Sequence, residues 1–170
     1  MNSSPKIILL CGKIAAGKTC YARRLASETA AVILSCDELM LTLFPLPEGA
    51  GELHDLYAAR VQDYLFRKAL DLAAAGCSVI LDWGFWTKAS RENARTFFRS
   101  HTLPCELHYI EVTDEQWESN IHQRNRAVEE GRESAYFIDK GLRNKLNERF
   151  VPPDMDEIDV LHLNKGERFP

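Results

Sequence analysis

The chain has five cysteines but no CxxC pair; Cys11, Cys20, Cys36, Cys77 and Cys105 are odd in number and widely scattered. This argues against a disulfide framework or a thiolate zinc site and fits reduced, mostly buried thiols of a cytoplasmic protein. The histidines at 54, 101, 108, 122 and 162 lack metal-ligand spacing too, so each is read as core or surface. No apolar run approaches the roughly 20 residues of a membrane span. The opening MNSSPKIILLCG has one lysine and then five apolar residues before a glycine, which is also short for a secretory leader. Positive charge is not in excess: the formal charge is -4 and the pI near 5.8. That argues against a broad basic face for duplex nucleic acid, although a local basic groove fits within an acidic average. Internal repeats, low-complexity stretches and long linkers are missing as well. With 170 residues and 45% hydrophobic content, the expectation is one cytoplasmic domain over 1–170, not attached to a membrane.

What is present is a regular alternation of apolar runs and helical periods. Lys6 to Cys11 is a short apolar run ending at Gly12, as a central strand covered on both faces would be. Ala31 to Ser35 and Cys77 to Leu81 are two more, followed by Asp37 and Asp82. Glu106 to Val112 and Ile158 to Leu163 read as a fourth and a last strand. Between them, helices are expected over 18–29, over about 52–75 with Gly76 at the left-handed end position, and over about 88–100 capped by Thr87. A further helix follows the capping-box pair Thr113 and Gln116, and one more carries Phe137, Leu142, Leu146 and Phe150 before Pro152 and Pro153. Strands alternating with helices imply an α/β fold: a parallel sheet with helices on both faces.

The most informative stretch is Gly12-Lys13-Ile14-Ala15-Ala16-Gly17-Lys18-Thr19. It matches GxxxxGK[ST] and lies between a buried strand and a helix, where a phosphate-binding loop must lie. Its glycines let the backbone wrap a phosphate while successive N–H groups and the helix N-terminus point at it. Lys18 would bridge the β- and γ-phosphates, and the Thr19 hydroxyl would ligate Mg²⁺. Asp82 ends its apolar run as a Walker B acid does, and would hold the same Mg²⁺ directly or through water.

Asp37 follows the second strand, at the sheet edge where ligands bind in such folds. It has two readings: a base that orients and deprotonates an attacking hydroxyl, or an N-cap for the segment 38–44. The loop Trp83-Gly84-Phe85-Trp86 reads as a lid of the core more readily than as a stacking platform. Lys88, Arg91, Arg95 and Arg99 recur every three or four residues. They form a basic helix stripe from which Arg91 is a candidate contact to an anionic substrate group. Arg124, Arg126 and Arg132 flank a polar, glycine-containing stretch read as a lid over about 126–135. Arginines on such a lid stabilise charge on a transferred phosphoryl group. Asn164-Lys165-Gly166-Glu167 departs from the guanine-reading NKxD at its acid, so ATP is expected over GTP.

Taken together, GKIAAGKT at 12–19, SCDEL at 35–39, VILDWGFW with Arg91, LHYIEV at 107–112, HQRNR at 122–126 and FVPPDMDE at 150–157 resemble small P-loop kinases and AAA-domain ATP-binding proteins. This group includes the kinase domain of phage polynucleotide kinase, zeta toxins and chloramphenicol phosphotransferase. The resemblance implies a three-layer P-loop NTPase fold of the nucleoside-monophosphate-kinase type with five parallel strands and a small lid. It further implies a general base at Asp37 and lid arginines at Arg124 and Arg126. LDWGFW is most similar to relatives described only as ATP-binding, so no acceptor is named. Two functions follow: a Mg·ATP-dependent kinase acting on a hydroxyl, or a nucleotide-dependent switch or ATPase that regulates a protein partner and whose only acceptor is water. Residues 38–60, with the insert from Pro45 to Gly51, and 83–95 would shape an acceptor pocket.

Overall fold

The computed structural model describes residues 4–44 and 51–166. Its elements run β1 (Ile7–Cys11), α1 (Lys18–Thr29), β2 (Val32–Ser35), α2 (Cys36–Leu43), α3 (Gly51–Ala74), β3 (Val79–Asp82), α4 (Lys88–Ser100), β4 (Cys105–Val112), α5 (Asp114–Glu129), α6 (Lys140–Arg149), a single 3₁₀ turn (Met155–Glu157) and β5 (Val160–Asn164). The strands form one five-stranded sheet in the order β2-β3-β1-β4-β5, parallel throughout. The chain leaves β1 toward one edge to build β2 and β3 and returns to the other to build β4 and β5. The carboxyl end of β1 is therefore the topological switch point, where open α/β sheets form their binding crevice.

Alternate residues of β1 feed two cores, as a central strand requires. Ile7, Leu9 and Cys11 face α3 and α4, meeting Val61, Leu65, Phe66 and Phe98. Ile8 and Leu10 face α1, meeting Tyr21 and Ala22. Trp117 and Ile121 of α5 close a third cluster with Ile138. β2 is an edge strand, so its residues are only half-buried, unlike the fully buried run its composition suggested.

Two caps differ from expectation. Ser35, not Asp37, caps α2: its hydroxyl accepts the Glu38 N–H at 3.3 Å, and Asp37 sits in the first turn with its carboxylate uninvolved. Thr113 caps α5 by accepting the Gln116 N–H at 3.3 Å. The Gln116 amide turns instead to Asn120 at 2.8 Å, so the capping box is half formed. Thr87 and Ser90 make a complete one for α4, and Gly76 takes the left-handed conformation expected after α3, at φ 87°. The last helix begins only at Lys140, capped by Asp139, which leaves Phe137 outside it.

Candidate nucleotide and phosphoryl-transfer site

The loop between β1 and α1 is fastened from behind through its carbonyls. Trp86 Nε1 donates to Gly12 O at 3.2 Å, Trp117 Nε1 to Ile14 O at 2.7 Å, Asn120 Nδ2 to Ala15 O at 2.9 Å and Asn164 Nδ2 to Ala16 O at 2.8 Å. In a trans peptide the N–H points opposite to the C=O, and the structure has no cis bond. Anchoring these carbonyls therefore turns the N–H groups of Lys13, Ala15 and Gly17 toward the other side, the face a phosphate would occupy. Gly17 takes φ 97° before the unsheathed start of α1, a conformation glycine adopts without strain. At Gly12 a Cβ would lie 2.6 Å from Ile110 O, so the loop passes β4 too closely for any side chain.

Lys18 Nζ donates to Lys13 O at 2.7 Å and to Gly12 O at 3.1 Å. Burial lowers its pKa, opposed by the charges of Asp82 and Asp37. Thr19 Oγ1 donates to Asp82 Oδ2 at 2.8 Å, and Asp82 is only 5% exposed. Its pKa is raised by burial, against the pull of Thr19 and Lys18. Two hard oxygens beside a phosphate loop suit Mg²⁺, which takes few protein ligands and fills its octahedron from phosphates and water. Among the described residues there is no cluster of three His, Cys, Asp or Glu side chains that could cage a metal alone. The residues fit the ion: Thr19 and Asp82 would hold it, and it would neutralise charge on the β- and γ-oxygens.

Loop, Lys18, Thr19, Asp82 and Asp37 all line one cavity of about 1820 Å³. Its far wall is a groove between α3, which presents His54, Asp55 and Ala58, and α6, which presents Leu142, Lys145 and Arg149. Asp37 is exposed to this space, and its charge acts on both Lys18 and Asp82. Tyr136 reaches over the groove to His54, with the hydroxyl 3.1 Å from Nε2. Burial, then Asp37 and Cys36, push the Tyr136 phenol up to about 12.

A family model described as an AAA domain matches residues 7–150. The chain belongs to this AAA-domain family. Among curated protein sequences none matches it. Solved structures share the fold. Chaetomium thermophilum Kti12 in complex with ADP-AlF3 is 17% identical at TM-score 0.66, over 95% of this chain and 89% of that one. A sugar kinase from Janibacter sp. is 16% identical at TM-score 0.60, over 94% and 85%. A gluconokinase from Sinorhizobium meliloti is 12% identical at TM-score 0.58, over 94% and 82%. The AAA domain thus has the P-loop fold that these structures share, and among its described residues no helix is long and apolar enough to cross a membrane.

In this AAA domain Arg91 does not reach the cavity, which corrects its expected place beside the substrate. It is 1% exposed. Nε and Nη2 donate to the two Glu157 carboxylate oxygens at 2.9 and 3.0 Å, and Nη1 donates to Phe85 O at 3.2 Å and Val151 O at 2.9 Å. Two others of the expected stripe reach the same segment: Lys88 pairs with Asp154 and Arg95 with Asp159, so α4 clasps the segment that leads into β5. Within the aromatic loop, Trp83 and Phe85 stack with ring centroids 4.9 Å apart and are buried, as core lids. Trp86 braces the phosphate loop.

The stretch expected as a lid from about 126 is helical at its start, because α5 runs on to Glu129. Arg126 is exposed on that helix outside the cavity lining, whereas Arg124 and Arg132 line it. Arg124 Nε donates to Tyr136 O at 3.2 Å, and Asn125 makes a two-way clasp with Ile138, both bonds at 2.8 Å. Sequence reasoning missed Trp117, Asn120 and Asn164 as braces, and Tyr136, His54, Lys145 and Arg149 as cavity residues. For Asn164 a signal existed: a polar residue at the carboxyl end of an apolar strand, where a binding crevice opens. Residues 45–50, expected to shape the acceptor pocket, lie outside the described residues.

Proposed function

We propose that this AAA domain is a kinase that transfers the γ-phosphoryl group of Mg·ATP to a hydroxyl of a second substrate. The observation that carries the reading is that Asp37 opens onto the same cavity as Lys18 and Thr19. At about 1820 Å³, that cavity exceeds the roughly 300–1,000 Å³ of a single small-molecule site. Room for a second ligand beside the triphosphate, with a carboxylate facing it, is what phosphoryl transfer needs and what a pure nucleotide switch does not.

In this reading the loop N–H groups and Lys18 hold the β- and γ-phosphates. Lys18 exchanges its loop carbonyls for phosphate oxygens at little cost in burial. Thr19 and Asp82 would hold Mg²⁺, which would draw charge from the transferring group. Asp37 accepts a hydrogen bond from the acceptor hydroxyl, aligns it with the γ-phosphorus and takes its proton as the new O–P bond forms and the bond from the γ-phosphorus to the β–γ bridging oxygen breaks, with ADP as the leaving group. The transition state is loose, so alignment of the nucleophile matters more than the strength of the base. Arg124, on the cavity wall, supplies positive charge to the equatorial oxygens. The exposed Arg126 would join it only if the end of α5 turns inward when substrates bind.

The test is ADP release from Mg·ATP by the purified protein, alone and with nucleosides, nucleotide sugars, 5′-hydroxyl oligonucleotides, sugars and sugar acids. The expected result is stimulation by one acceptor class, abolished in Lys18→Ala and lost in Asp37→Ala with nucleotide binding retained. Slow, acceptor-independent hydrolysis that Asp37→Ala leaves intact would replace the kinase with a nucleotide-dependent switch.

A further inference from the structure

Resting on the kinase reading, the groove between α3 and α6 constrains the acceptor. α6 has no buried residue. The side it turns to the cavity carries Lys145 and Arg149, one helical turn apart. Side chains at that spacing come within about 5–6 Å at Cβ, and two like charges there destabilise a helix. Among the described residues the one ion pair either of them makes is that of Arg149 with Asp55. Burial would raise its pKa, but hydrogen bonds from Arg149 and His54 and the charge of Lys145 hold it below the ordinary carboxylate value. The Arg149–Asp55 contact is 3.1 Å long with side chains 46% and 51% exposed. Such a pair is worth little and exchanges readily for a better partner. Lys145 forms no ion pair among the described residues. It leans across the groove instead, its Nζ 3.4 Å from where a Cβ on Gly51 would stand. Lys145 thus stands without a paired acid, beside the Arg149–Asp55 pair, in a cavity that the phosphate loop and Asp37 also line.

We propose that the acceptor is itself an anion: besides the hydroxyl it presents to Asp37, it carries an oxyanion group seated between Lys145 and Arg149. Arg149 offers a planar fork and Lys145 a point charge. Binding of the oxyanion releases Arg149 from Asp55 and removes the repulsion along α6. The acceptor is thereby held at both ends, with the tail on α6 and the reacting oxygen at Asp37. Neutral polyols would lack the second hold.

The experiment pairs each neutral acceptor with its carboxylate and its phosphate monoester: glycerol with glycerate and glycerol phosphate, and hexoses with hexonates and hexose phosphates. ADP release is followed in wild type, Lys145→Gln and Arg149→Gln. The expected result is a kcat/KM at least tenfold higher for one anionic series than for its neutral counterparts. Each variant raises KM for that acceptor about tenfold while KM for ATP moves less than twofold. The preferred series distinguishes a carboxylate from a phosphate tail. Neutral compounds turned over as well as their anionic partners, or variants with unchanged acceptor KM, would overturn the proposal and leave the kinase standing. If no compound stimulates ADP release, the kinase reading fails, and the anion seat is judged on its own by thermal unfolding with saturating Mg·ADP and millimolar inorganic phosphate. Stabilisation of wild type that the Lys145→Gln/Arg149→Gln double variant loses supports the seat, and equal stabilisation of both rejects it.

Discussion

Replacing Glu157 by Gln tests how the clasp between α4 and the segment before β5 supports the site. Gln keeps the shape and removes the charge. Arg91, with a side chain 1% exposed, would then stand as a buried cation without its counter-ion, while Glu157 is 15% exposed. Removing one partner of a buried pair costs about 3–5 kcal/mol, and the partial access of water to Glu157 favours the lower figure. For a chain of this size about 1 kcal/mol corresponds to roughly 2–4 °C in Tm, so a fall near 10 °C is expected by calorimetry. Arg91→Met should also destabilise, because Phe85 O and Val151 O lose their donor. The double variant should cost less than the sum of the singles by at least about 1 kcal/mol. The Arg91 hydrogen bonds hold the Glu157 carboxyl below its ordinary value of 4.5. A carboxylate with a depressed folded pKa stabilises the protein fully above its unfolded pKa and loses that contribution as pH falls through the folded one. The Tm gap between wild type and Glu157→Gln should therefore be flat from neutrality to about pH 4.5 and close below it. A neutral-pH loss under about 1 kcal/mol, or a gap that widens in acid, would refute the assignment of Arg91 to structure.

Other consequences follow from the same contacts. Trp86→Phe removes the indole donor to Gly12 O and should weaken nucleotide affinity about fivefold to tenfold, read by titration with a fluorescent ATP analogue, in line with the roughly 1 kcal/mol of a hydrogen bond. Asp37→Asn should lower acceptor-dependent kcat by about 10²–10⁴ with nucleotide affinity retained, the range for loss of a general base; a fall under threefold would return Asp37 to a passive role. Burial pushes the thiols of Cys36 and Cys105 up to about 12. Both should resist a thiol-reactive dye at pH 8 in the folded protein and react only after unfolding.

How much was legible beforehand divides by range along the chain. The phosphate loop, the acids at the ends of β2 and β3 and the capped start of α4 were readable, because each rests on residues adjacent in sequence. Arg91 was misread because spacing at three and four residues reports a shared helix face, not whether that face meets water. Only the return of residues 150–159 over α4, a contact spanning more than 60 positions, makes it a core residue. Asp37 had the cap of α2 as one of its two readings, but Ser35, two residues earlier and of a type that caps equally well, takes that place. The braces Trp117, Asn120 and Asn164 reach the loop across separations above 100 residues, and for Trp117 and Asn120 no local pattern announces such a contact.

Those braces have a consequence for communication within the molecule. The loop is tied to α5 at Trp117 and Asn120, and one to two helical turns farther on, α5 clasps Tyr136 and Ile138 through Arg124 and Asn125. If occupancy of the loop by triphosphate favours one setting of α5, the strap carrying Tyr136 feels it, and linkage makes the effect mutual. An acceptor that steadies the strap must then tighten the grip on nucleotide by the same factor, so each ligand would be held more firmly in the presence of the other than alone.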